Sequence, residues 1–207
     1  MRIGENLKIL WVKPGKLLPL DTGGKLRTYN ILRHLSKDHE LTFLSYYGGS
    51  RDEKYETEIL RHIPGTAAVH TGVADISGFH RNLDYMRRLF SPAPYAVSRF
   101  ASKRVRTMLV EWMQQQRYDV AVCDFLASAP NFPQDLIIPT VLFQHNVETM
   151  LWKRRAEYAS TWEDRFIARI EHAKMAFKLL IRLCSLYTSS DRSWLVNALI
   201  FLIIHIL

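Results

Sequence analysis

The sequence predicts an α/β protein built on a single Rossmann-like, doubly wound and mostly parallel sheet. Short apolar or β-branched runs alternate with longer amphipathic stretches, which is the pattern of βαβ units with right-handed crossovers. Of the 207 residues, 48% are hydrophobic, so the chain can bury a sizeable core. The length suits one domain, which we place at residues 1–192, followed by an apolar tail at 193–207.

The first elements organise the rest of the chain. Residues 7–12 form a short apolar run typical of a central parallel strand, and an amphipathic helix is expected at 25–35. The turn-rich loop between them, at 13–22, leads to Gly23 and Gly24. Glycine permits close approach of another molecule, and a helix start presents unpaired N–H groups and a positive dipole end. The pair predicts a phosphate or other anion site; a tight strand-to-helix turn is the alternative.

This loop matches neither of two well-known phosphate motifs. It lacks the Lys-Ser/Thr ending of a P-loop, and its glycines do not have the G-x-G-x-x-G spacing of a dinucleotide site. The second predicted strand ends in Tyr46 and Tyr47 followed by two glycines, with no acidic residue to hold a ribose. These differences argue against a nicotinamide-dependent dehydrogenase.

Residue type and helix breakers define the later elements. Pro64 ends a short charged helix, and Pro92 and Pro94 separate a basic helical segment from a longer helix. The remaining strands are expected at 40–47, 66–73, 118–125, 139–144 and 186–188. The remaining helices are expected at 51–62, at 78–90, at 95–116 and from just after Asn146 to about residue 183, the last with a break near 160.

Polar residues fall where ligands of parallel sheets bind, beyond the carboxyl ends of the strands. Asp124 follows the fourth strand, and His145 follows the fifth. His145 is the candidate catalytic residue because its imidazole can point into the cleft and donate to a substrate hydroxyl or carbonyl. Asn146 can cap the next helix, and we count it with Asp124 among the candidate substrate-binding groups. In the alternative interpretation, His145 only ties down its own loop.

The net charge of +8 favours an acidic partner, and basic residues cluster on helical segments. Three interpretations apply: solvated helix faces, docking on anionic lipid head groups, and nucleic-acid binding. No nucleic-acid-binding module is apparent and the aromatic residues look like core, which argues against the third. The residues concerned are Arg81, Arg87, Arg88, Arg99, Lys103, Arg104, Arg106, Lys153, Arg154 and Arg155.

The ends of the chain and its cysteines bear on location. Cys123 and Cys184 lie in apolar, strand-like runs without metal spacing, which predicts two buried thiols in a reducing compartment. No signal peptide precedes the first strand, so a cytoplasmic protein is expected. The apolar stretch 194–207 is shorter than the roughly 17–25 residues of a spanning helix. It fits a truncated gene or shifted frame, or a substitute helix covering the sheet, and it could pair two copies in a dimer.

Two stretches carry a family resemblance: Pro-Leu-Asp-Thr-Gly-Gly-Lys-Leu-Arg at 19–27 and His-Asn-Val-Glu at 145–148. Together with the alternating elements, they resemble the N-terminal domain of a GT-B glycosyltransferase of the retaining family-4 type. The greatest similarity is to sugar transferases of bacterial exopolysaccharide systems, and it covers about residues 6–192.

The resemblance implies an enzyme that transfers a sugar from a nucleotide-diphosphate sugar to a glycan or lipid-linked acceptor without a cofactor or metal. Two Rossmann-like domains would face a cleft, the first binding mainly the acceptor and the second the donor. Gly23 and Gly24 would approach the donor diphosphate or the acceptor, His145 would position the transferred sugar, and Arg27 would lie near an anionic group. A lipid-linked acceptor would place the protein peripherally at the inner face of the plasma membrane.

The chain departs from this family in length, since a complete enzyme would be about twice as long. The donor-side Glu-x7-Glu element belongs to the second domain; Glu163 and Glu171 have this spacing, but we interpret them as exposed helix carboxylates. Without half of the donor pocket, this chain alone is expected to lack turnover. The rival hypotheses are an inactive ligand- or partner-binding module and a nucleotide-sugar epimerase, whose Ser-Tyr-x3-Lys group is not visible.

Overall fold

The structure, a computed structural model, describes residues 6–71, 85, 91, 93–115, 117–133, 135, 137–143 and 148–188. The chain divides into two compact units. The first comprises residues 1–76 and 100–143, and the second comprises residues 77–99 and 144–207.

The first unit contains one sheet of five strands, all parallel to their neighbours. This confirms the predicted α/β, Rossmann-like fold class. The strands are β1 Lys8–Pro14, β2 Glu40–Tyr47, β3 Thr66–His70, β4 Val120–Asp124 and β5 Thr140–Phe143. Their spatial order is β3-β2-β1-β4-β5, so the chain leaves β1 toward one edge and returns to pair with its other side through β4.

The helices are α1 Gly23–Leu35, α2 Glu53–His62, α3 Tyr95–Ser98, α4 Lys103–Gln114, α5 Glu148–Tyr158 and α6 Trp162–Thr188, with a short 3-10 helix at Leu126–Asn131. Side-chain oxygens of Thr22, Asp52 and Ser102 cap α1, α2 and α4, each accepting from the N–H three residues on. Such caps satisfy N–H groups that have no partner within the helix, and they fix where each helix begins.

The core of this unit forms around β1, a central strand whose residues 9–13 are buried. In register, Trp11 lies opposite Phe43 of β2 and Val122 of β4. Trp11 is 3% exposed and packs edge-on against Phe143, with ring centroids 5.2 Å apart. The burial of this central strand agrees with the prediction from its apolar sequence.

The first strand and helix differ from the prediction at their ends. β2 has the predicted bounds, but β1 runs to Pro14, so Lys13 belongs to the strand and not to the loop. Helix α1 begins two residues early, and the two glycines are its first residues. On α1 the polar Thr28 is buried, whereas Leu26 is 47% exposed.

The single helix predicted at 95–116 is two helices. Helix α3 ends at Ser98, and α4 begins after Ser102. Within the first unit, the backbone N–H of Ser102 donates to Oδ1 of Asn131 at 2.7 Å, and the carbonyl of Phe100 accepts from Nδ2 of Asn131 at 3.0 Å. The amide of Asn131 therefore satisfies the backbone groups at the break, which the apolar periodicity of the segment does not reveal.

The prediction of a sixth strand at 186–188 is wrong, because α6 continues through Thr188. Cys184 therefore lies in a helix, while Cys123 lies buried in β4 as expected. The predicted break near 160 is confirmed between α5 and α6. Of the helix predicted at 78–90, only Tyr85 is among the described residues.

The second unit corrects the interpretation of Glu171. Glu163 is exposed as predicted, but Glu171 is buried with 0% exposure. One of its oxygens accepts from the backbone N–H of Tyr95 at 2.8 Å, and the other lies 3.9 Å from Nζ of Lys174. Burial raises the pKa of Glu171, and the Tyr95 bond and Lys174 oppose this increase.

We expect Glu171→Gln to be more stable than the wild type at pH 7, because the neutral amide keeps an acceptor for Tyr95 without burying a charge. The carboxyl pKa of Glu171 is higher in the folded protein than in the unfolded chain, where it is near 4.5. Between these two pKa values the folded state binds more protons, so the free energy of unfolding of the wild type rises as the pH falls. The stability difference between Glu171→Gln and the wild type should therefore shrink at low pH. Glu171→Ala should lose about 1–3 kcal/mol by orphaning the Tyr95 N–H.

Urea denaturation of these variants at several pH values provides the measurement. Glu163→Gln removes an exposed carboxylate from the same helix; it is the matched control and should change the free energy of unfolding by no more than about 0.5 kcal/mol. A pH-independent stability difference between Glu171→Gln and the wild type would contradict the role assigned to burial.

Candidate functional site at the switch point of the sheet

The candidate site lies at the carboxyl ends of β1 and β4, the two central neighbours of the sheet. From β1 the chain continues to β2 and β3 on one side of the sheet. It then continues to β4 and β5 on the other side of β1, so the direction of strand order reverses between β1 and β4. Ligands of doubly wound α/β proteins bind outside the strand ends at such a switch point. Lys13 of β1, Asp124 of β4 and the start of α1 lie here.

Asp124 is the centre of a buried polar cluster. Its carboxylate is 0% exposed, and Oδ2 accepts from the indole Nε1–H of Trp11 at 3.1 Å and from the hydroxyl of Thr28 at 3.0 Å. The same oxygen lies 3.8 Å from Nζ of Lys13. Trp11 and Thr28 supply donors that a buried carboxylate requires, which explains why a threonine occupies the inner face of α1.

Lys13 is a buried ammonium, with the whole residue 5% exposed. Its Nζ lies 4.8 Å from the centre of the Phe125 ring, a cation–π contact. Burial lowers the pKa of Lys13; attraction to Asp124 opposes this effect, and repulsion from Lys25 reinforces it. The ion pair is therefore an electrostatically costly arrangement in the protein interior.

Phe125 links the cluster to α1. It has φ 64° and ψ 151°, a left-handed backbone conformation that L-residues rarely adopt. Its N–H donates to the carbonyl of Phe143 at 2.9 Å, and its carbonyl accepts from Ser128 at 3.0 Å. A Cβ built on Gly24 would lie 3.5 Å from Cζ of Phe125, so this ring stands beside the start of the helix.

The start of α1 is ordered by its own side chains. Oγ1 of Thr22 accepts from the N–H of Lys25 at 3.3 Å. The ammonium of Lys25 reaches back to the carbonyl of Pro19 at 3.2 Å and to Oδ1 of Asp21 at 2.9 Å. The bond from Lys25 lowers the pKa of Asp21, which is solvent-exposed. Within the described ranges, the N–H groups of Gly23 and Gly24 have no protein acceptor.

The fold itself does not require either glycine of this pair. Neither has a positive φ, and a Cβ at Gly23 would meet nothing within 4 Å, while at Gly24 it would make only ordinary contact. Glycine within a helix costs about 0.5–1 kcal/mol relative to alanine. Two residues without a Cβ beside unpaired donors leave room for another molecule to approach the backbone closely.

We therefore expect Gly23→Ala to leave the free energy of unfolding unchanged or to raise it by up to about 1 kcal/mol. The reason is that alanine restricts the unfolded chain and meets no obstacle in the folded state. Chemical denaturation measures the effect. A loss of more than about 1 kcal/mol would mean that the fold needs this glycine, and the argument for close approach would fail.

The loop that follows β1 is anchored before it reaches α1. The N–H of Gly15 donates to the carbonyl of Tyr46 at 2.8 Å, and the carbonyl of Gly15 accepts from Ser45 at 3.1 Å. The hydroxyl of Tyr55 accepts from the N–H of Leu17 at 3.1 Å and bonds to the Ser45 hydroxyl at 2.6 Å. This buried network holds the loop against β2 and α2 and so preorganises the site.

The structure brings together some of the predicted site residues. Gly23 and Gly24 begin α1, and Gly24 faces the ring of the residue that follows Asp124. Arg27 is exposed on α1. His145 and Asn146 lie outside the described residues, so their place in the site stays a prediction.

Sequence reasoning missed Lys13, Trp11, Thr28 and Phe125 as members of the site. The signal for Lys13 in the sequence is its position directly after a buried apolar run and before Pro14. A residue there lies at the carboxyl end of the strand, where the ligands of parallel sheets bind. Trp11 and Thr28 have no local pattern that distinguishes them from core residues. The backbone conformation of Phe125 has no sequence signature, since it is not a glycine.

Chemically, the arrangement offers backbone donors, two lysine ammonium groups and a buried carboxylate at one strand edge. Such a set can bind an anion and stabilise negative charge on a leaving group. Among the described residues, no group of three or more His, Cys, Asp or Glu side chains could hold a metal ion. The helices in the described ranges include none with the length and apolarity needed to cross a membrane.

Comparisons of the chain with protein-family models, with curated proteins and with solved structures gave no match.

Proposed function

We propose that this chain is the acceptor-side half of a retaining GT-B glycosyltransferase. The enzyme would transfer a sugar from a nucleotide-diphosphate sugar to a glycan or lipid-linked acceptor in polysaccharide biosynthesis. The observation that carries the proposal is the start of α1 at the switch point. There, two glycines that the fold does not need present unpaired N–H groups among the described residues.

The chemistry of glycosyl transfer fits this arrangement. The leaving group is a nucleoside diphosphate, and its negative charge grows as the bond to the sugar breaks. Backbone donors and the positive end of a helix stabilise that charge, and they need no reorganisation during the reaction. Lys13 and Lys25 add positive charge near the same strand edge. The proposed reaction requires no cofactor.

The proposal gives each candidate residue a role. Gly23 and Gly24 approach the diphosphate or the acceptor, and Arg27 meets an anionic group. His145 positions the transferred sugar, with Asn146 beside it. Asp124 acts indirectly, through Lys13 and Thr28, because its side chain is fully buried.

A cytoplasmic protein at the inner face of the plasma membrane fits a lipid-linked acceptor. Basic side chains are exposed on α4 of the first unit and on α5 of the second, two of them with a protein partner (Arg104 with the His70 carbonyl, Arg155 with Asp164), and each contributes about 1 kcal/mol when it lies near anionic head groups. They are Lys103, Arg104, Arg106, Lys153, Arg154 and Arg155. In this proposal nucleic acid is not a partner.

Binding is tested by NMR titration of the chain with UDP, GDP and their sugar conjugates. We expect saturable shifts of the Gly23 and Gly24 amide signals, and an affinity about tenfold lower in Gly23→Val, whose Cβ meets open space in the protein. Asn30→Ala, exposed farther along α1, is the matched control and should bind as the wild type does. Absence of shifts at millimolar ligand, or equal binding by Gly23→Val, would overturn the proposed site.

The enzyme class is tested separately. The proposal predicts that the natural gene product that contains this chain together with a donor-binding domain releases nucleoside diphosphate from a sugar donor. Ligand binding without release by the longest natural product of the gene would instead indicate an inactive binding module.

A further inference from the structure

The ammonium of Lys13 is poorly satisfied for a buried charge. An ammonium carries three N–H donors, and burial is costly unless acceptors replace water. Its partner oxygen, Oδ2 of Asp124, lies 3.8 Å from Nζ, beyond the roughly 2.7–3.2 Å of an ordinary hydrogen bond. The other described contact is with the face of the Phe125 ring, which accepts no conventional hydrogen bond.

The same Asp124 oxygen is well satisfied without Lys13. Trp11 and Thr28 both donate to it at hydrogen-bond distance, from β1 and from α1. If the ammonium moved away, the carboxylate would keep these two donors. Lysine has a flexible four-carbon stem and a compact charge, so its head group can change partners by rotation about its own torsions.

The ring of Phe125 connects this ammonium to the two glycines. Nζ of Lys13 lies 4.8 Å from the ring centre, and Cζ at the far end of the ring would be 3.5 Å from a Cβ on Gly24. Lys25, whose N–H follows the two glycine donors, is close enough to repel Lys13. The buried charge and the start of α1 are therefore both neighbours of the Phe125 ring.

We propose that Lys13 is the cationic ligand of a diphosphate bound at Gly23 and Gly24, and that its ammonium exchanges Asp124 for a phosphate oxygen when that ligand binds. Asp124 then serves as the resting partner that keeps the ammonium in place in the empty site. This inference rests on the proposed function, and it names the diphosphate as the group recognised and Lys13 as the residue that recognises it.

The exchange predicts a pH dependence. Burial lowers the Lys13 pKa in the free protein, while an anionic ligand favours the charged amine. Diphosphate affinity should therefore fall as pH rises through the lowered Lys13 pKa, at a pH below the 10.5 of an ordinary lysine. In the described part of the chain, the charged groups that face Lys13 are Asp124 on β4 and Lys25 on α1. Asp21 is paired with Lys25.

The test uses inorganic pyrophosphate and UDP with Lys13→Met, Lys13→Arg and Lys8→Met. Lys8→Met is the matched control because it removes one positive charge from the same strand at its other end. We expect about tenfold weaker binding of both ligands by Lys13→Met and no change in Lys8→Met. Lys13→Arg should bind within about threefold of the wild type and lose the alkaline fall in affinity, because arginine stays charged.

Equal pyrophosphate affinity of Lys13→Met and the wild type would overturn the exchange while leaving the glycine site intact. Absence of pyrophosphate binding by the wild type would overturn both. If Lys13→Met does not fold, selective ¹³Cε labelling of lysine gives the answer in the wild type. Pyrophosphate should shift the Lys13 signal and raise its titration midpoint, and an unmoved Lys13 signal beside shifted Gly23 and Gly24 amides would refute the inference.

Discussion

Asp124→Ala is expected to lower the free energy of unfolding by about 3–5 kcal/mol. The substitution leaves the Lys13 ammonium buried without a counter-ion, and it removes the acceptor of the Trp11 indole N–H and of the Thr28 hydroxyl. Each orphaned donor adds a desolvation cost. Urea denaturation followed by circular dichroism measures the change.

Two comparisons separate the buried charge from the loss of packing. The double variant Lys13→Met with Asp124→Leu should recover much of the loss, since replacing a whole buried ion pair by apolar residues is often neutral. Glu40→Ala removes one partner of the exposed Lys8–Glu40 pair and should cost no more than about 1 kcal/mol. A loss below about 1 kcal/mol in Asp124→Ala would contradict the central role of this cluster.

Gly65→Ala is expected to cost about 3 kcal/mol or more. Gly65 precedes β3 with φ +83°, and a Cβ there would lie 2.6 Å from the backbone oxygen of Leu41. Alanine would therefore meet both an unfavourable backbone conformation and a collision with a strand that cannot move without disturbing the sheet. Thermal and urea unfolding provide the measurement.

Gly15→Ala is the matched control for this prediction. Gly15 has nearly the same φ, +80°, but a Cβ there would meet nothing within 4 Å. It should lose only the conformational part, about 1–2 kcal/mol. Equal losses in the two variants would show that the close contact at Gly65 is absorbed by small movements of the backbone.

Much of the fold could be predicted because its strands have strong local signals. β2 has the bounds that its β-branched and aromatic residues indicate, and the apolar residues of β1 indicate its buried run. The break between α3 and α4 could not be predicted, since it depends on an amide from Asn131, distant in sequence. The burial of Glu171 likewise depends on a backbone N–H that is 76 residues away.

The candidate site likewise contains residues with a local sequence signal and residues that only tertiary structure reveals. Gly23, Gly24 and Asp124 can be named as candidates from the sequence, because glycines at a helix start and acids at the end of a strand have a known meaning in parallel sheets. The sequence places Lys13 in a loop, because a charged residue after an apolar run ordinarily marks the end of a buried strand. Only tertiary structure shows that Asp124 and Phe125 accompany its ammonium into the interior.

The strand order has a consequence for synthesis on the ribosome. β1 pairs early with β2, but its other neighbour, β4, begins at Val120. Until that segment emerges, the nascent chain carries a half-built sheet with one unsatisfied, apolar edge, the kind of surface that invites aggregation or chaperone capture. The lysine and aspartate of the two central strands meet only when that edge closes, so the proposed anion site cannot form before Asp124 has left the ribosome.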